Sequence, residues 1–136
     1  MARLVLMSVA AVVANALGWL LPVMDKYRGW QAFRVGLSPL WPYEKFDIHG
    51  FLILLSVGSA LTNVVFVIAA LALVLPDLPN TRLRSAFWVV LAAAALNLHW
   101  PISMGDNRGD LLIGYYVWLL SFPLLAIALK WRADRA

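Results

Sequence analysis

The chain has no cysteine among its 136 residues. That excludes disulfides, thiolate metal sites, iron–sulfur clusters and thioether-linked haem. Charge is the second scarcity, at 13% of residues against roughly 25% in an average soluble domain. The 7 acidic residues all lie outside the long apolar runs. Ion- and proton-coupled carriers hold their cation on an intramembrane carboxylate, so the exporter chemistry that rests on a glutamate within a four-helix bundle is excluded. There is no glycine-rich phosphate loop, no His-Glu-x-x-His pair and no Gly-x-Ser-x-Gly elbow.

What the chain has instead is apolar surface. Hydrophobic residues make up 63% of it and the mean hydropathy is +0.81. A water-soluble fold of this length cannot bury that much, so the expected solvent is lipid. Four runs are long enough to cross a bilayer, at 4–23, 48–75, 81–100 and 111–129. Arg82 and Arg84 fall in the first turn of the third, from which they reach back to the interface. Asn80 or Thr81 is the expected cap of that helix and Pro101 its expected stop; Asp110 is the expected cap of the fourth, which Pro123 kinks. Met1-Ala2-Arg3 and Ala14-Asn15-Ala16 have the form of a signal-peptide start and cleavage site. The apolar run continues through Leu17 to Leu21, so we read it as a retained helix. The expectation is an all-α integral membrane protein, a single four-transmembrane-helix bundle over 1–136 with a short amphipathic interfacial helix in its first outer loop.

Basic residues set orientation. With both termini cytoplasmic, Arg3, Arg82, Arg84, Lys130, Arg132 and Arg135 lie inside and Lys26, Arg28, Arg34, Lys45 and Arg108 outside. The net charge of +4 then faces lipid phosphates, and nucleic acid is not an expected partner. Abundant alanine and arginine with little lysine suit a GC-rich bacterium, hence an inner membrane.

The first loop, 24–47, carries six aromatic residues. Tyr27, Trp30, Phe33 and Leu37 recur at spacings of three and four, which predicts an amphipathic helix that Asp25 caps and Gly36 ends. Ser38-Pro39 and Trp41-Pro42 then force an extended return. Two readings of this surface stay open: an aromatic belt that anchors the loop, or a docking face made by Tyr27, Trp30, Phe33, Leu37 and Trp41.

Helices in lipid associate through small and polar residues. Ser8, Ala11, Asn15 and Gly18 form such a stripe in the first span, and Ser56, Ser59 and Asn63 in the second. Ala92 and Ala95 are expected to share an inward face with His99, and Gly114 and Ser121 to complete the fourth helix. An echo links Asn15-Ala-Leu-Gly-Trp19 to Asn97-Leu-His-Trp100, each followed by proline within three residues. A duplicated hairpin or interfacial anchoring of tryptophan would each produce it.

His49 and His99 are the only histidines, and the four-span layout puts both at one end of the bundle. Two neutral imidazoles so placed suit a bis-histidine haem b or a quinone site, or are interfacial residues bonded to neighbouring carbonyls. Gly105-Asp106-Asn107-Arg108-Gly109-Asp110 is a solvated turn or a cation or headgroup site. The loop order resembles that of claudin-like tetraspans, and Gly36-Leu37…Leu40-Trp41 resembles their Gly-Leu-Trp motif; the paired cysteines of that family are missing, and no residue role transfers. The arrangement also resembles small bacterial DoxX-type proteins, by layout alone. The expected function is a non-catalytic accessory or scaffold subunit that binds other membrane subunits or itself. The alternatives are a haem- or quinone-binding redox subunit using His49 and His99, and an oligomeric transporter component with Asn15, Ser59 and Asn63 along its path.

Overall fold

The computed structural model describes residues 2–43 and 50–135. Helix α1 spans Ala2–Leu20, β1 Pro22–Met24, β2 Tyr27–Arg28, α2 Gly29–Gly36, α3 Phe51–Ala72, α4 Asn80–Asn97, α5 His99–Ser103 and α6 Ile113–Ala133, with a 3-10 turn over Gly105–Asp110 between α5 and α6. Four helical segments are long and apolar enough to cross a membrane: α1, α3, α4 with α5, and α6. Helix α6 is the axis of the bundle, 44% buried over its apolar window against 11% for α1. Helices α1 and α4 pack along it, and α3 packs on α4. The outer faces remain apolar, with Leu54, Ile68, Trp88 and Ile102 all exposed.

The core is built where small and aromatic side chains of four helices approach closely. Ala11 of α1, Phe66 and Ala69 of α3, Val90 and Ala93 of α4, and Phe122, Leu125 and Leu129 of α6 make one buried cluster. Phe66 meets Phe122 edge-on, ring centroids 5.4 Å apart. Ala92 and Ala95 are exposed, contrary to expectation. The inward face of α4 runs instead through Leu83, Val90, Ala93 and Asn97, so the alanine pair looks outward where nothing polar is required.

Helix boundaries differ from the sequence reading in three instructive ways. Pro79, not Asn80 or Thr81, stands at the start of α4, and its carbonyl accepts from the Arg82 and Leu83 amides. Leu112, not Asp110, precedes α6; Asp110 closes the 3-10 turn. Pro101 does not stop the third span, because α4 breaks at Leu98 and Pro101 falls in the first turn of α5, where its missing N–H is not needed. Pro123 sits inside a continuous α6.

The first loop is not helix from Asp25 onward. Asp25 occupies the turn of a small antiparallel hairpin with φ 42°, and β1 pairs with β2 through Pro22–Arg28 and Met24–Tyr27. The hairpin leans on α6: the Leu112 amide donates to the Val23 carbonyl at 2.9 Å. Gly114 permits this, because a Cβ there would come within 2.5 Å of the Pro22 carbonyl oxygen. Helix α2 then starts at Gly29, which lies directly on the Gly18 carbonyl with no room for a side chain. It ends with Val35 and Gly36 buried against α3, where the Ser56 hydroxyl reaches the Gly36 carbonyl at 3.4 Å. Ser56 is five residues past Phe51, about 7–8 Å down α3. Helix α2 is therefore tucked into the bundle end between α1 and α3 and does not lie across it.

Candidate functional site

Under α2 the bundle encloses a cavity of about 80 Å³. Its walls come from Trp19 and Phe33, stacked at 5.2 Å, from Trp100, Trp118 and Tyr115, and from Ser59 and Asn63 of α3. The expected small-and-polar face of α3 thus borders this space: Ser56, Ser59 and Asn63 are all buried.

The polar atoms around the cavity are joined into a directed network. Two indole N–H groups converge on the Asn63 Oδ1, from Trp19 at 3.2 Å and Trp118 at 2.8 Å. Since an indole can only donate, the atom between them must be the amide oxygen. The Asn63 amide nitrogen donates to the Ala60 carbonyl at 3.1 Å. Trp100 donates to the Ser59 Oγ at 2.9 Å, and Ser59 donates on to the Asn97 Oδ1 at 2.6 Å. The Asn97 amide donates to the Thr62 Oγ1 at 3.0 Å, whose own proton goes to the Ser59 carbonyl at 2.6 Å. Each donor has one acceptor and the arrows do not conflict.

Pro101 explains the remaining link. In an unbroken helix the Asn97 carbonyl would accept from residue 101, which as proline has no N–H. The Tyr115 hydroxyl of α6 donates to that carbonyl instead, at 2.7 Å. The break between α4 and α5 is thereby satisfied from a neighbouring helix, the way irregular backbone is tolerated inside membrane bundles.

Of the first-span stripe, Ala11 and Gly18 are buried, and Asn15 is half-buried, donating to the Ser121 hydroxyl at 3.1 Å. Gly18 abuts Trp118 so closely that a Cβ would clash with its backbone. Ser8 is half-buried and bonds back to its own Leu4 carbonyl at 2.9 Å. Asn15 does not line the cavity, whereas Ser59 and Asn63 do.

His99 is half-buried, with its Nδ1 donating to the Leu96 carbonyl at 2.7 Å and its ring against Trp100 at 4.6 Å. It is not part of the cavity wall. His49 lies outside the described residues. Among the described residues no group of three histidine or carboxylate side chains could hold a metal ion. The turn over Gly105–Asp110 leaves Gly105, Asp106, Asn107, Gly109 and Asp110 exposed.

The anticipated docking face divides. Phe33 faces inward onto Trp19 and the cavity, while Tyr27 and Leu37 are half-buried. Trp30 and Trp41 stay exposed, at 44% and 62%, together with Leu40 at 70%. The roles of Trp118, Thr62 and Tyr115 were not anticipated. For Trp118 a signal existed: Gly114, Trp118 and Ser121 fall at spacings of four and three on one face of α6.

Fold and site together define a helical protein with four membrane-length apolar segments and a neutral, hydrogen-bonded interior. No family model matches the chain, and no match is found among curated proteins or among solved structures.

Proposed function

We propose that the chain is a non-catalytic membrane subunit that binds another membrane polypeptide through the aromatic shelf formed by Trp30, Leu40 and Trp41, in a bacterial inner membrane with both termini cytoplasmic. The observation that carries this reading is the division of labour among polar and aromatic groups. The interior network spends its donors on internal acceptors and contains no acid, base or cation. Trp30 and Trp41, which take no part in that network, are displayed with Leu40 at the loop end, where exposed tryptophan and leucine form the kind of surface from which interface anchors are drawn. The phenol and hydroxyls the cavity wall carries, on Tyr115, Ser56 and Ser59, each donate to an internal acceptor.

A photo-crosslinking amino acid at position 30 or 40, compared with one at the exposed Val64 of α3, tests the proposal in native membranes. The expected result is a discrete protein adduct from 30 and 40 and none from 64. An adduct of twice the chain mass would replace the foreign partner by a second copy. No adduct from 30 or 40, or the same smear from all three, would sink the proposal.

A further inference from the structure

Arg34 sits in the last turn of α2, where the helix C-terminus favours a cation. Its guanidinium lies 3.5 Å from the Trp41 ring centroid and 5.2 Å from that of Tyr43. This is a stacked cation–π arrangement that fixes the plane of the group. Its five N–H donors are otherwise unspent among the described residues: no hydrogen bond or ion pair holds the side chain, and Nη1 is shielded from solvent without a partner. The Nε and Nη2 edge is not among the buried atoms that lack a partner, and Arg34 as a whole is half-buried. That edge presents two parallel N–H groups, which match two oxygens of one phosphate or carboxylate.

The surroundings choose between those anions. Leu40 and Trp41 beside it are largely exposed and apolar, as residues at a lipid headgroup boundary are. Lys26 and Arg28, from the hairpin at the same end, add positive charge. We infer that the Arg34 Nε/Nη2 edge, held by Trp41 and Tyr43, binds the phosphodiester of a phospholipid headgroup. The site shares Trp41 with the partner-binding shelf but needs Arg34 and its aromatic clamp rather than Trp30. It gives the loop end a fixed depth in the bilayer, because the phosphate plane is the one chemical layer at which this clamp is satisfied.

The test is native mass spectrometry of the full chain in mild detergent, supplied with phosphatidylglycerol, with inorganic phosphate as a separate arm. Wild-type protein is expected to retain the lipid. Loss of a bidentate charge-assisted pair predicts about tenfold weaker retention in Arg34→Gln. Arg34→Lys, which keeps the charge and loses the fork, is expected to fall nearly as far, while Arg28→Gln stays at the wild-type level. Far-ultraviolet circular dichroism and the melting profile of Arg34→Gln, both expected to match wild type, show that the bundle is intact. Equal retention by Arg34→Gln and wild type would overturn the inference, as would an equal loss in Arg28→Gln, which describes a diffuse basic surface. Displacement of the lipid by equimolar inorganic phosphate would make this a free-anion site. A partner polypeptide lost from Arg34→Gln with lipid retention unchanged would assign Arg34 to a protein carboxylate. Either of these also overturns the lipid assignment.

Discussion

Asn63 is the residue on which most depends, because one oxygen satisfies two indoles from two different helices. Replacing it by leucine keeps the forked shape at Cγ and removes the acceptor, leaving the Trp19 and Trp118 N–H groups without partners. Interhelical hydrogen bonds in membranes average only about 0.6 kcal/mol, since the unfolded chain finds other partners. An orphaned buried donor costs more, about 1–3 kcal/mol. Asn63→Leu is therefore expected to lose about 1–3 kcal/mol in a detergent unfolding titration and to shift tryptophan emission; an unchanged midpoint would show that the two bonds carry no stability. The same logic makes Tyr115→Phe costly by about 1 kcal/mol, because the Asn97 carbonyl freed by Pro101 has no other donor recorded. Gly114→Ala places a methyl 2.5 Å from the Pro22 carbonyl and 2.9 Å from Val23 Cγ1. Overpacking of this kind costs about 1–3 kcal/mol, and the expected sign is detachment of the β1–β2 hairpin from α6, read as faster amide exchange at Leu112.

At the scale of elements, α3 is tied at its two ends by different means. Near its loop end it receives α2 through Gly36 on Ser56 and Ala60. At the other end the Arg132 guanidinium of α6 donates to the Ala72 carbonyl at 2.6 Å and also to that of Leu75. Those carbonyls belong to the last turn and tail of α3, which lack intrahelical donors, and a cation at a helix C-terminus also meets a favourable dipole. Arg132→Leu is expected to cost about 1–2 kcal/mol and to raise amide exchange over Leu73 to Leu75 while leaving α2 protected; equal exchange in both regions would mean that Arg132 does not pin α3.

Much of this level was legible in composition and spacing. Apolar runs located the four long helices because in lipid the run itself is the signal. Of the stripes read from spacing, Ser8, Ala11, Asn15, Gly18 and Ser56, Ser59, Asn63, the structure buries Ala11, Gly18, Ser56, Ser59 and Asn63 and leaves Ser8 and Asn15 half-buried. Three things were not legible. Ala92 and Ala95 read as small interface residues, yet alanine is equally at home facing lipid, and the face of α4 was set by Asn97 and Leu83. The hairpin over Pro22 to Arg28 was hidden because Asp25 serves a helix cap and a turn equally well, and only pairing with α6 decides between them. The inward turn of Phe33 follows from α2 lodging between α1 and α3, a tertiary choice its own periodicity does not contain.

At the scale of the whole molecule, the polar side chains around the cavity are joined by hydrogen bonds with Trp19, Trp100, Trp118 and Tyr115, while Trp30 and Trp41 stay exposed at the loop end. That asymmetry is why a binding role fits better than a catalytic or transport one. A transport path would leave polar groups aligned along the axis with unspent donors, whereas here Asn15 is bound to Ser121 and Asn63 to two indoles. The measurement that tests the binding role most directly is native mass spectrometry of the chain extracted from its own membrane in a mild detergent. The account predicts a discrete complex with another polypeptide, which Trp30→Ser and Leu40→Ser together release as a folded 15.1 kDa chain. Lone chains from the wild-type membrane, or a complex indifferent to both substitutions, would contradict it.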